Sequence, residues 1–189
     1  MTPGALDGVR VLELSEGWSA AALAGRLLGE LGAEVVKVEG PDGDPLRREA
    51  FAFPLVAAGK RSLALEGRAG PDRRALDSLL AWPDVLLADA TGVQDLAALE
   101  WPFPRLAGRL PHLVACAATP FGLTGPLSGS AAGELTLQAA SGVMSCTGYG
   151  ERPPMRAGVA LGAHVTALLA VTAILAALRV RQRGGPGQV

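Results

Sequence analysis

The chain has 189 residues, 49% of them hydrophobic, with 17 basic and 18 acidic side chains. That is enough for one well-cored domain, and the balanced charge excludes a strongly basic nucleic-acid or membrane-surface binder. With only 4% aromatic residues, stacking platforms for bases are not expected and the core must be aliphatic.

Val9–Leu14 is a short apolar run bounded by Ser15, Glu16 and Gly17 and reads as a buried strand. From Ser19, leucines 23, 27, 28 and 31 fall at helical spacing and Gly32 marks a stop. Glu34–Glu39 follows as a second strand. Strand, helix and strand within about thirty residues make a parallel crossover, so an α/β fold of the nucleotide-binding type is expected. The first turn, SEGWSAA, has one glycine where a dinucleotide fingerprint needs three, which argues against an ordinary NAD site.

The loop GPDGDPLRR ends in Arg47 and Arg48, and a second basic pair, Lys60 and Arg61, precedes a third strand, SLAL. Arginines at strand ends can hold phosphate or can simply face solvent, and both readings stay open. Residues 71–82 read as an amphipathic helix carrying leucines 76, 79 and 80, begun by Gly70 and Pro71. DVLLAD, from Asp84 to Asp89, reads as a fourth strand; residues 93–110 as short helical pieces broken by Pro102 and Pro104; and HLVACAA, from His112, as a fifth strand.

The fifth strand delivers the chain into a loop rich in Gly, Pro and hydroxyl residues, and a short helix then begins at Glu134. Such a backbone can approach a ligand closely. Glu134 is a carboxylate placed where chemistry can happen, and equally where an ordinary first-turn Glu favours the helix dipole. His112 is expected at the surface or in a cap, and His164 as a hydrogen-bonded core residue. Cys116 and Cys146 lack metal-ligand spacing and read as small buried hydrophobes, so no metal site is expected. No hydrolase triad or GxSxG elbow is present. Residues 159–178 are almost continuously apolar and meet the length of a membrane span. Their alanine content, Gly162, His164 and two threonines, within an α/β pattern, favour a buried helix instead. No secretory leader is seen, which makes the cytoplasm the expected compartment.

The segments LDGVRVLELS, AGRLLGELGAEVVKVEGPDGDPLRR, GKRSLAL, PDVLLAD, ATPFGLTGP, GELTLQAASGVMSCTG and RPPMRAG resemble, in the same order, the amino-terminal half of the family III (CaiB/BaiF) CoA-transferases. This group includes formyl-CoA transferase and the related 2-methylacyl-CoA racemases. The resemblance covers essentially the whole chain. It implies a Rossmann-like parallel sheet flanked by helices, incomplete relative to the full family fold, with residues 1–189 forming one unit. It further implies coenzyme A or acyl-CoA as substrate, a carboxylic acid as acceptor, and a homo- or hetero-oligomer in which another chain supplies the missing half. In the family an aspartate at the position of Glu134 attacks the acyl-CoA thioester, CoA opens the mixed anhydride, and an acceptor carboxylate resolves the enzyme-bound thioester.

On that resemblance Glu134 is the catalytic candidate, and Arg47, Lys60, Arg61, Gly122 and Gly125 are the CoA-binding candidates. The extra methylene of Glu moves the nucleophile by about an ångström, an error worth on the order of a hundredfold unless the backbone compensates. Ala57 and Ala58 stand where the family carries Asn and Arg, and Asp89–Thr91 where it often carries Asn-Phe-Arg, so customary phosphate contacts are missing. Gly133 and Ala163 replace the His and Asp of the racemase branch, which disfavours racemisation. A non-catalytic subunit that keeps the fold is the alternative.

Overall fold

The computed structural model describes residues 4–65 and 70–189, without the side chains of residues 70–73 and 76. Five strands form one parallel sheet: β1 (Arg10–Leu14), β2 (Glu34–Glu39), β3 (Arg61–Ala64), β4 (Val85–Asp89) and β5 (Val114–Ala118), in the order β3-β2-β1-β4-β5. The chain moves outward from β1 to β3, then returns to the other side of β1. The switch point therefore lies between β1 and β4, where open α/β sheets leave a crevice.

Alternation along each strand sorts the two faces. Val11, Val35, Val85, Leu87 and Val114 face α1 (Ala20–Glu30) and α7 (Leu161–Gln182). Leu12, Leu14, Leu86, Ala88 and Ala115 face the other side, with Leu80 of α3 (Gly70–Leu80), Leu96 of α4 (Ala90–Ala98) and Leu106 of α5 (Leu106–Arg109). Ser19 caps α1 by accepting from the N–H of Ala22 at 3.1 Å, and Asp89 caps α4 by accepting from Gly92 N–H at 3.0 Å. A cap at Asp89 is why α4 starts earlier than its apolar pattern. A short helix, α2 (Ala52–Ala57), lies against α1 through Val56 and was not legible in the sequence. In α3, Leu79 and Leu80 pack into the core as expected, whereas Leu76 and the Gly70–Pro71 start lie outside the described side chains.

The long apolar helix is α7, and it is buried along one side only. It is long and apolar enough to cross a membrane by length and composition alone. Ala167, Ala170, Val171, Ile174, Ala177 and Leu178 form one stripe buried against α1 and β5, while Leu168 and Leu169 are 59% and 64% exposed on its other side. His164, expected in the core, is exposed in the first turn of α7; it packs near Trp18 with ring centroids 6.2 Å apart, and its Nδ1 lies 2.7 Å from the Ala160 carbonyl. His112 is exposed as expected. Cys116 is half-buried, but Cys146 is exposed and not the buried hydrophobe its neighbours in sequence led us to expect. The segment after α7 returns to β5, where Gln188 accepts from the N–H of Ala115 at 2.7 Å.

Candidate active site

Strands β4 and β5 both end at one edge of the sheet, and the chain leaving β5 runs through a long exposed loop before entering α6 (Glu134–Ala140). Glu134 is the first residue of α6, yet its carboxylate serves a different helix. Oε1 accepts from the N–H of Gly162, in the first turn of α7, at 2.7 Å, and from Nε2 of Gln138 at 2.7 Å. Partial burial would raise the Glu134 pKa. The bonds from Gln138 and from the Gly162 and Ala163 N–H groups, with the charge of Arg156, outweigh it and hold the group below the ordinary carboxylate value. A carboxylate against the positive end of α7 is thus kept ionised at neutral pH. Gly162 leaves it room, since a Cβ there would stand 3.2 Å from Oε2.

Glu134 borders a cleft of about 730 Å³ at the carboxyl ends of β4 and β5, closed on the opposite side by Trp18 and Ser19 at the start of α1. Thr119, just past β5, lines the same cleft with a buried hydroxyl that has no hydrogen-bond partner among the described residues. A second cleft, of about 340 Å³, opens at the β1/β4 switch point between Ser15, Glu16, Gly40, Gly43, Gly92 and Asp95. Thr91 lines both.

The loop between the clefts is tied down from three sides. Asp89 Oδ2 accepts from Glu16 N–H at 2.8 Å, Asp44 Oδ2 from Gly17 N–H at 3.1 Å, and Lys37 Nζ donates to the Ser15 carbonyl at 2.6 Å. Lys37 and Glu13 are register partners on β2 and β1, so both side chains point to the α1 face, where Asp44 meets Lys37 at 3.0 Å. Gly25 of α1 lets Glu13 in: a Cβ there would fall 1.9 Å from Glu13 Oε2.

The basic residues named from the sequence gather at the β2/β3 side, away from Glu134. Arg47 forks onto Glu39 at 2.6 and 2.8 Å and lies over the ring of Phe53. Burial would raise the Glu39 pKa, but Arg47, the Asp44 N–H and Ser62 pull it down to about 2, and Glu39 in turn raises that of Arg47. Arg47 packs on Gly43 and Glu39, which line the smaller cleft. Arg61 is exposed and paired with Glu34 at 2.6 Å. Lys60 points inward. Its Nζ contacts Glu13 at 2.6 Å and the Ala22 carbonyl at 2.7 Å, its side chain is 2% exposed, and burial lowers its pKa despite Glu13. Gly122 and Gly125 have positive φ, 80° and 94°, and sit in open space farther along the loop than the cleft-lining residues Thr119–Phe121.

Gln138, Asp89 and the Glu13–Lys37–Asp44–Lys60 cluster were not foreseen. The spacing of Glu134 and Gln138, four apart on one helix face, was the available signal for the first. Burial raises the Cys116 thiol pKa, which disfavours its thiolate form. Among the described residues no group of three or more His, Cys, Asp or Glu is placed to hold a metal ion.

Together these features define an α/β protein with ligand-sized clefts and an ionised, hydrogen-bonded carboxylate at the carboxyl edge of a parallel sheet. The chain belongs to CoA-transferase family III, whose sequence model matches residues 6–189. It is 34% identical to a succinyl-CoA–D-citramalate CoA-transferase of Chloroflexus aurantiacus, over 99% of this chain and 48% of that one. It is also 34% identical to a formyl-CoA:oxalate CoA-transferase of Streptomyces coelicolor, over 100% of this chain and 47% of the relative. The crystal structure of a CaiB/BaiF family protein from Brucella suis superposes with a TM-score of 0.91 at 33% identity, covering 99% of this chain and 52% of that one. The chain spans about half the length of the curated relatives it matches.

Proposed function

We propose that residues 1–189 form the CoA-binding, nucleophile-bearing unit of a CoA-transferase. It moves CoA between an acyl-CoA and a carboxylic acid through an intermediate on Glu134, and a complementary segment or chain completes the site. The observation that carries this is the Glu134 carboxylate, held ionised by two 2.7 Å hydrogen bonds at the edge of a 730 Å³ cleft. An ionised carboxylate needs no general base to attack a thioester. The arrangement also bears on the extra methylene of Glu: the longer side chain reaches the start of α7, where backbone donors fix it.

In this reading the acyl thioester lies against Glu134 and the nucleotide end of CoA extends past Thr91 toward the switch-point cleft. Arg47, which packs on two residues lining that cleft, would meet a phosphate by leaving Glu39. Arg61 would do so by leaving Glu34. Lys60 would have to leave Glu13, and Gly122 and Gly125 would contribute backbone N–H groups only if their loop folds inward. The pairing of all three basic residues within the protein favours a second reading, a non-catalytic partner subunit that keeps the fold.

One experiment separates the two. The chain is incubated with succinyl-CoA, treated with hydroxylamine or borohydride, and mapped by mass spectrometry, alone and with a full-length relative. Modification at Glu134 supports the transferase. An unmodified Glu134 in both samples, with no heat of CoA binding, supports the non-catalytic subunit.

A further inference from the structure

We infer that the larger cleft takes an uncharged, apolar acyl group and discriminates against one that carries a second carboxylate. The inference rests on the reading above that this unit takes acyl-CoA, and not on which group attacks the thioester. The composition of the cleft wall carries it. Trp18, Phe121, Leu137, Val143, Leu161 and Val165 are the large apolar side chains that line the cleft, and alanines make up much of the rest. At about 730 Å³ it has room for a branched or aromatic acyl group together with the thiol end of the CoA arm.

Most polar groups on that wall are engaged within the protein. Asp89 accepts from the N–H groups of Gly92 and Glu16, and Ser19 from that of Ala22. The Ser141 hydroxyl donates to the Gln138 carbonyl at 3.1 Å, and the Gln138 amide is divided among Ala157, Val159 and Glu134. Asp89 and Glu134 are the ionisable side chains of the wall, and no Lys, Arg or His among the described residues lines it. Arg156, whose charge is felt by Glu134, and His164, which packs near Trp18, are exposed and stand outside the lining. A second carboxylate entering the cleft would therefore lose water and meet like charge, with no cation on the wall to pair with. An alkyl or aryl group gives up no hydrogen bonds there and removes apolar surface from water.

The test holds shape constant and changes charge. S-isohexyl-CoA and S-carboxypropyl-CoA are unreactive thioethers of matched length that end in an isopropyl group and a carboxylate. The same two groups on N-acetylcysteamine lack the nucleotide and report on the cleft by itself. Binding of all four compounds to the 189-residue chain is measured by calorimetry at neutral pH, and the amide NMR shifts of Trp18, Leu137 and Val165 locate the site. Val165 lines the cleft yet is 47% exposed, so Val165→Lys places a cation on the wall at little cost to the fold.

In the wild type the isopropyl compound of each pair should bind about tenfold more tightly than its carboxylate counterpart. In Val165→Lys that gap should close, chiefly through tighter binding of the carboxylate compound. Equal binding within the pairs, or tighter binding of the carboxylate compound, to the wild type overturns the inference. So does a preference that Val165→Lys leaves untouched, since the discrimination then arises elsewhere. Tight binding of both CoA compounds without discrimination keeps the transferase reading and overturns the inference alone. An apolar preference in the short compounds, with no binding of either CoA compound, overturns the transferase reading while the preference of the cleft stands.

Discussion

The two ends of the sheet handle charge in opposite ways. At the β1–β2 side, Glu13, Lys37, Asp44 and Lys60 are buried together and satisfy one another and the loop after β1. At the β5–α7 side, Glu134 sits half-exposed at a cleft, and no cationic side chain is hydrogen-bonded to it among the described residues. Neutral donors hold it instead. The difference separates charge used to shape a backbone from charge left available to a ligand, and it also explains why basic residues that look like phosphate ligands in the sequence are engaged elsewhere.

The comparison breaks most visibly at Lys37. Removing one member of a buried, hydrogen-bonded ion cluster leaves the others uncompensated, so Lys37→Met should cost about 3–5 kcal/mol in urea unfolding. A loss below about 1 kcal/mol would mean that water already reaches Glu13 and Asp44. Gly25→Ala should act through the same cluster, because the added methyl would displace the Glu13 carboxylate from Lys60.

Next in size is the acid response of Glu39. Its folded pKa, about 2, lies below that of the unfolded chain, so its contribution is fully present above about pH 4.5 and lost as pH falls toward 2. Arg47 is partly solvated, with 42% of its side chain exposed, so the contribution is about 1–2 kcal/mol rather than the full shift. Glu39→Gln should flatten stability between pH 4.5 and 2 in denaturant titrations at stepped pH. An unflattened curve would place the acid sensitivity elsewhere.

Glu134→Gln should cost less, about 1 kcal/mol or under at pH 7, because it removes only a charge-assisted cap on the first turn of α7. Modification by acyl-CoA should nevertheless disappear. Near-neutral stability with lost chemistry is the signature that distinguishes this carboxylate from Glu13. A large loss of stability would instead place Glu134 with the structural carboxylates.

How much of this was legible depended on the range of the interaction. The strands were read to within two residues because the apolar runs at Leu12, Val35 and Leu86 obey a local period, and Ser19 capped its helix as its type predicts. Glu134 was legible as a position, at a helix start after a Gly-rich loop. Its partner Gly162 lies 28 residues away, and nothing local says that α7 points its first turn at α6. The same holds for Lys60 and Glu13, brought together only by the β1–β2–β3 register. At α7 the apolarity was legible but not its division: one stripe is buried against α1 and β5, and the other side is exposed.

That last contrast sets the smallest expected effect, at Leu169, beside a large one on the same helix. Ile174 is 1% exposed in the stripe against α1 and β5, so Ile174→Ala should cost about 2–5 kcal/mol. Leu169, on the opposite side, is 64% exposed, and Leu169→Lys should change the stability of the chain by no more than about 0.5 kcal/mol. Measured together, the two variants report which face of an all-apolar helix the sheet uses. If Leu169→Lys destabilises the chain as much as Ile174→Ala does, the outer side of α7 is covered in solution. Sedimentation at two concentrations then shows whether a second copy covers it, since burial between copies makes the loss depend on concentration and burial within one chain does not.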